Sequence, residues 1–123
     1  MKTNEISYLI IGAAMDVHSE LGPGLLESVY QEALAIELTK REITFEREAH
    51  LAVYYKGIKL KKGFYADFCC YNSIILELKV CSSITNEHIC QIMNYMRITK
   101  YSKGMILNFG NKSLEHRTYN LNK

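Results

Sequence analysis

The sequence predicts an α/β (α+β) protein, a central mixed β-sheet flanked by helices in the order ααβββαββ. Three observations carry this reading. Apolar residues recur at helical spacing through the first forty positions, β-forming residues fill three runs between 44 and 80, and a further helical period at 85–99 precedes two short strand-like runs.

Over residues 4–21, Ile6, Leu9, Ile10, Ala13, Val17 and Leu21 form one apolar stripe, and Gly22-Pro23-Gly24 ends the helix. A second helix is expected over 25–41, with Leu26, Val29, Ala33 and Ile36 or Leu38 facing the core. Its Glu27 falls in the first turn, where a negative charge suits the helix dipole. Residues 44–55 are rich in β-formers and alternate late, through Leu51, Val53 and Tyr55, before a turn near Lys56-Gly57. Strands follow at 64–70 and 74–80. Ile89, Ile92, Met93 and Met96 mark an amphipathic helix over 85–99, residues 105–109 form the next strand, and 114–119 form a final edge strand. With neither repeat nor linker, residues 1–123 are expected to make one domain.

Composition narrows the function. At 48% hydrophobic and 23% charged residues, the chain has the balance of a folded globular protein, which excludes disorder. The apolar run 6–15 is too short to cross a bilayer and lacks a signal peptide's flanks, so a cytoplasmic protein without membrane association is expected. Cys69, Cys70, Cys81 and Cys90 contain no C-x-x-C pair and read as free thiols in a reducing compartment. The net charge of +2 is too small to diagnose a nucleic-acid binder by itself. Lysines 56, 59, 61 and 62 nevertheless cluster, as do Arg97, Lys100 and Lys103.

The stretch IILELKV, residues 74–80, is apolar enough to be buried on both faces, yet it carries Glu77 and Lys79. Side chains in a strand alternate, so Phe64, Ala66, Phe68 and Cys70 share one face and Tyr65, Asp67 and Cys69 the other. Making the apolar faces of both strands coincide requires an odd loop, because one residue of slip flips every side chain. A three-residue loop at Tyr71, Asn72 and Ser73 sets Cys70 against Ile74, Phe68 against Leu76, Ala66 against Leu78 and Asp67 against Glu77. Carboxylates so placed, with Cβ atoms about 5 Å apart, repel unless a cation lies between them. Mg²⁺ is held by one or two carboxylates together with water and substrate oxygens. On this reading Lys79 lies beside the ion, on the same face. The plainer reading is an exposed face with a weak cross-strand ion pair.

Asp67 followed by Glu77-Leu78-Lys79, on the second and third strands, resembles the PD-(D/E)XK nuclease superfamily, whose restriction-endonuclease-like core has this architecture. GLLESVY, residues 24–30, looks like the signature of its GxxExxY protein family. VHSELGPGLLESVY, YADFCCYNSIILELKV, QIMNY and LNFG extend the likeness over residues 6–119. Gln91 and Tyr95 are similar to the Q-x-x-x-Y element of the lambda-exonuclease-like and recombination-exonuclease branch. Ala66 stands where the superfamily's name has proline. The resemblance implies Asp67 and Glu77 as ligands of Mg²⁺ or Mn²⁺, the Leu78 backbone carbonyl as a further ligand, and Lys79 orienting or activating the attacking water. It also implies that Glu27 completes the acidic cluster, while Gln91, Tyr95 and Tyr30 support the site or contact substrate.

The function so implied is a metal-dependent nuclease hydrolysing phosphodiester bonds, with DNA as the expected partner. The alternative is a non-catalytic nucleic-acid- or protein-binding module that keeps the fold. A short chain also admits a homo-oligomer or a subunit of a larger complex. His18 and His88 are given no chemistry, since a lone helical histidine usually serves packing or the surface.

Overall fold

The computed structural model describes residues 2–121. Two helices lead, α1 (Thr3–Leu21) and α2 (Glu27–Lys40), followed by the strand β1 (Phe45–Leu51). A separate hairpin, β2 (Tyr54–Tyr55) and β3 (Ile58–Lys59), precedes β4 (Phe64–Cys70) and β5 (Ile74–Lys79). Helix α3 (Asn86–Thr99), β6 (Lys103–Asn108) and β7 (Glu115–Asn120) complete the order. Five strands make one sheet, β1-β4-β5-β6-β7, in which β5 and β6 run parallel and every other pair is antiparallel. Helix α3 is the crossover that a parallel pair requires.

The sheet is covered on both sides. Ile6, Ile10 and Val17 of α1 and Leu34 and Leu38 of α2 pack with Phe68, Leu76, Leu78 and Leu107. On the opposite face, Ile92, Tyr95 and Met96 of α3 pack with Cys69, Ile75 and Ile106. This explains the continuous apolar character of β5, since a strand covered twice has no solvent face to fill with polar residues. Gly104 of β6 lets α3 come close, for a Cβ there would lie 2.7 Å from the Met96 sulfur.

Two expectations need correcting. The run 44–55 is not one strand: β1 stops at Leu51, and Lys56 and Gly57, with φ of +48° and +80°, turn the following residues into a tight hairpin. Left-handed φ at both central positions is what a two-residue hairpin turn demands. The buried stripe of α2 is Tyr30, Gln31, Leu34 and Leu38, whereas Leu26, Val29 and Ile36 are exposed. Apolar residues surround this helix, so spacing alone does not choose its inner face; Tyr30 does. Its ring stacks on Phe109 at 4.4 Å, and its hydroxyl donates to the Gly22 carbonyl and accepts from Leu25 N–H. The ring pair contributes about 1 kcal/mol beyond its burial.

Candidate active site

The 70–74 hairpin has the register expected of it, with Cys70 against Ile74 and Phe68 against Leu76 across Tyr71, Asn72 and Ser73. Tyr71 and Asn72 take φ of +53° and +50° to close the turn. Beyond Phe68 the ladder opens. Asp67 and Glu77 do not form the ordinary facing pair that the sequence suggests; each carboxylate turns inward and accepts a backbone N–H. Asp67 N–H donates to Glu77 Oε2 at 2.9 Å, and Leu78 N–H donates to Asp67 Oδ2 at 2.7 Å. Two like charges side by side would repel, and charge-assisted bonds from the amides offset part of that cost.

The opening also shows on the other edge of β4. Glu48, which the β1 register would set opposite Asp67, has φ of +50° and forms no bridge, although its neighbours Arg47 and Ala49 do. The inside–outside alternation resets there: Phe68 belongs to the α1–α2 side and Ala66 to the α3 side. Asp67 sits at this break. From α2, Gln31 donates to Asp67 Oδ1 at 2.9 Å while accepting from Arg47 Nε at 2.7 Å.

Glu77 is 7% exposed, and its pKa is pushed up from an ordinary 4.5 to about 7. Burial is the main cause and the Asp67 charge the next; the bond from Asp67 N–H and then the positive Lys79 oppose both, and Glu27 adds a smaller upward push. Lys79 is half-buried at the end of β5, and its carbonyl accepts from Phe109 N–H at 2.8 Å. Beside it in β6, the fully buried Asn108 holds the departing chain. Its Oδ1 accepts from Cys81 and Gly110 N–H, and its Nδ2 donates to the Cys81 carbonyl and to Glu115.

Two open clefts flank β4. One, of about 370 Å³ on the α2 side, is lined by Glu27, Gln31, Glu48, Tyr65 and Asp67. The other, of about 470 Å³ on the α3 side, is lined by Phe64, Gln91, Tyr95 and Arg97 among others. Gln91 Nε2 donates to the Tyr95 hydroxyl at 3.1 Å, and the Tyr95 pKa is raised by burial and then by Glu77. Structure thus gathers Asp67, Glu77 and Lys79, with Glu27 at an exposed rim and Gln91 and Tyr95 on the α3 side. Tyr30 is fully buried, so it cannot touch substrate and serves to hold the loop before α2. Lys103 leaves its expected basic cluster: it is buried and donates to Asn4 Oδ1 at 2.7 Å.

Gln31, Arg47, Glu48 and Asn108 went unread in the sequence. The i,i+4 spacing of Glu27 and Gln31 on α2 is the one signal that could have found Gln31. The cysteines are all free; burial pushes the Cys69 and Cys70 thiols up to about 11 and 12, which keeps them protonated. Among the described residues, no three His, Cys, Asp or Glu side chains stand close enough to hold an ion by themselves. The hard oxygens of Asp67 and Glu77, completed by a backbone carbonyl, water and substrate, nonetheless match the needs of Mg²⁺ or Mn²⁺.

A family model described as the PD-(D/E)XK nuclease superfamily matches residues 4–119. The crystal structure of SSO0001 is similar in fold, with a TM-score of 0.52 at 16% sequence identity, covering 94% of this chain and 66% of that one. This chain therefore spans about two thirds of the length of that protein. No curated protein matches the sequence. No helix among the described residues is long and apolar enough to cross a membrane.

Proposed function

The chain belongs to the PD-(D/E)XK nuclease superfamily, and we propose that it is itself a metal-dependent nuclease that hydrolyses phosphodiester bonds, in DNA, as one domain. The observation that carries this reading is the opened β4–β5 ladder, which holds Asp67 and buried Glu77 together beside Lys79. A structural sheet position has no reason to keep two carboxylates there, since a ladder pair of apolar residues would be more stable.

Asp67, Glu77 and the Leu78 carbonyl would hold Mg²⁺ or Mn²⁺, with Glu27 reaching in from the rim. When bound, the ion supplies Lewis acidity to the scissile phosphate. Lys79 orients the attacking water and places a fixed positive charge where negative charge grows in the transition state. Gln31 holds the Asp67 carboxylate in one orientation, which preorganises the site at no cost during reaction. Gln91 and Tyr95 position the phosphate backbone from the α3 side. A membership of the GxxExxY family and the lambda-exonuclease-like branch accords with Glu27, Gln91 and Tyr95 at these places.

Purified protein incubated with linear, circular and single-stranded DNA, in Mg²⁺, Mn²⁺ or chelator, tests the reading. Cleavage is expected with either ion and none in chelator. Lys79→Ala should leave the melting temperature within a few degrees of the parent and lower the rate by at least about a hundredfold. A Lys79→Ala protein that cuts at the parent rate removes that residue from the mechanism.

A further inference from the structure

We propose that the β2–β3 hairpin, with Lys61 and Lys62 behind it, is a docking surface for single-stranded nucleic acid that delivers an unpaired strand to the Asp67–Glu77 site. This rests on the nuclease reading and names the substrate class.

Residues 51–66 contain four lysines and no carboxylate, while the whole chain carries only +2, so the remainder is net negative. None of these lysines forms an ion pair among the described residues. Exposed aromatic residues flank them: Tyr54 and Tyr55 precede the first lysine and Tyr65 follows the last, at 62%, 61% and 65% exposed, and of the three only Tyr65 packs on another ring, that of His50 at 5.0 Å. Tyr54 lies across from Lys59 and Tyr55 across from Ile58, so each face of the hairpin presents an aromatic ring. The Lys56 ammonium stands 5.5 Å from the centre of the Tyr55 ring.

Rings set beside cations, as Tyr55 is beside Lys56 and Tyr54 across from Lys59, are the pairing that single strands require, a flat face for each base and a charge for each phosphate. A duplex keeps its bases stacked and offers this surface its phosphates alone, which leaves the rings without a role. A protein partner fits less well, because lysine is depleted at protein interfaces. The surface also leads to the site. Past Gly63, Phe64 lines the cleft beside Tyr95 and Tyr65 lines the acidic cleft, one on each side of β4. From Lys62 to Asp67 the chain reaches at most about 17 Å.

Fluorescence anisotropy with labelled oligothymidine and a duplex of equal length, both in chelator, tests this. The single strand should bind more tightly. Tyr54→Leu with Tyr55→Leu, which keeps apolar bulk and removes the rings, should weaken single-strand binding about tenfold, whereas the two Phe replacements should preserve it. Lys59→Ala with Lys61→Ala should reduce the salt slope by about 1.4. All of these variants should keep a Mn²⁺-induced rise in melting temperature, and Asp67→Asn should keep single-strand binding, which separates this surface from the metal site. Equal or tighter duplex binding overturns the proposal, as does an unchanged affinity in the Leu pair. So does a wild-type dimer that the Leu pair dissolves in sedimentation, which would make the hairpin an interface between copies.

Discussion

Asp67 and Gln31 cannot be exchanged for look-alikes, because the hydrogen bonds around them run one way, from Arg47 to Gln31 to Asp67. An amide at position 67 would turn its NH₂ toward a donor on one side or the other. Asp67→Asn is therefore expected to lower the melting temperature of the metal-free protein, at a cost of about 1–2 kcal/mol for the mispaired donor. Glu77 behaves oppositely: it accepts one bond, from Asp67 N–H, which a glutamine oxygen can also accept. Its folded pKa, about 7 against an ordinary 4.5, means that the folded chain holds an extra proton between those values. Stability then falls as pH rises through this window, and the penalty, up to about 3 kcal/mol, is complete above pH 7 and absent below pH 4.5. Glu77→Gln should accordingly melt higher than the parent at pH 8 in chelator and level with it near pH 4.5. A gap of the same size at both pH values would show that charge is not its source.

At the scale of elements, the middle of β4 and the last residues of β5 make the candidate site. The register of their hairpin was legible, since an alternation of period two leaves one odd loop that buries Phe68, Leu76 and Ile74 together. The break at Asp67 was not. It depends on a left-handed Glu48 in the neighbouring strand, and no glycine or proline marks that position. The inner face of α2 was hidden for another reason: it is chosen by Tyr30 stacking on Phe109, a contact 79 residues away in sequence. Asn108 shows how an unremarked residue can matter to a site it does not join. It is buried, lies beside Lys79 in the register and satisfies four bonds where β5 departs. Asn108→Ala leaves the Cys81 and Gly110 groups unpaired and should cost about 2–4 kcal/mol in chemical denaturation. Cleavage should drop more than the folded fraction accounts for, because the chain just past Lys79 is no longer fixed to β6 through Cys81. Activity that tracks the folded fraction alone would confine Asn108 to a structural role.

Taken as a whole molecule, one sheet is closed by α1 and α2 on one side and α3 on the other, and β4, opened at Asp67, has a cleft on each side. The fold class and the succession of helices and main strands were readable from periodicity, whereas the β2–β3 hairpin was not. The candidate site drew notice because carboxylates in an apolar strand demand a reason. What periodicity could not supply was the support around the carboxylates, since Gln31 and Arg47 are ordinary surface residue types that become specific only when folded. The claim that Asp67 and Glu77 hold a divalent ion, while Lys79 serves the chemistry, predicts a separation between binding and turnover. Calorimetric titration of Mn²⁺ into the parent, Glu77→Gln and Lys79→Ala proteins at pH 8 measures it directly. The parent should bind the ion, Glu77→Gln should bind at least about tenfold more weakly, and Lys79→Ala, freed of a neighbouring positive charge, should bind as well or better while failing to cut DNA. Equal Mn²⁺ affinity in the parent and Glu77→Gln would contradict the account.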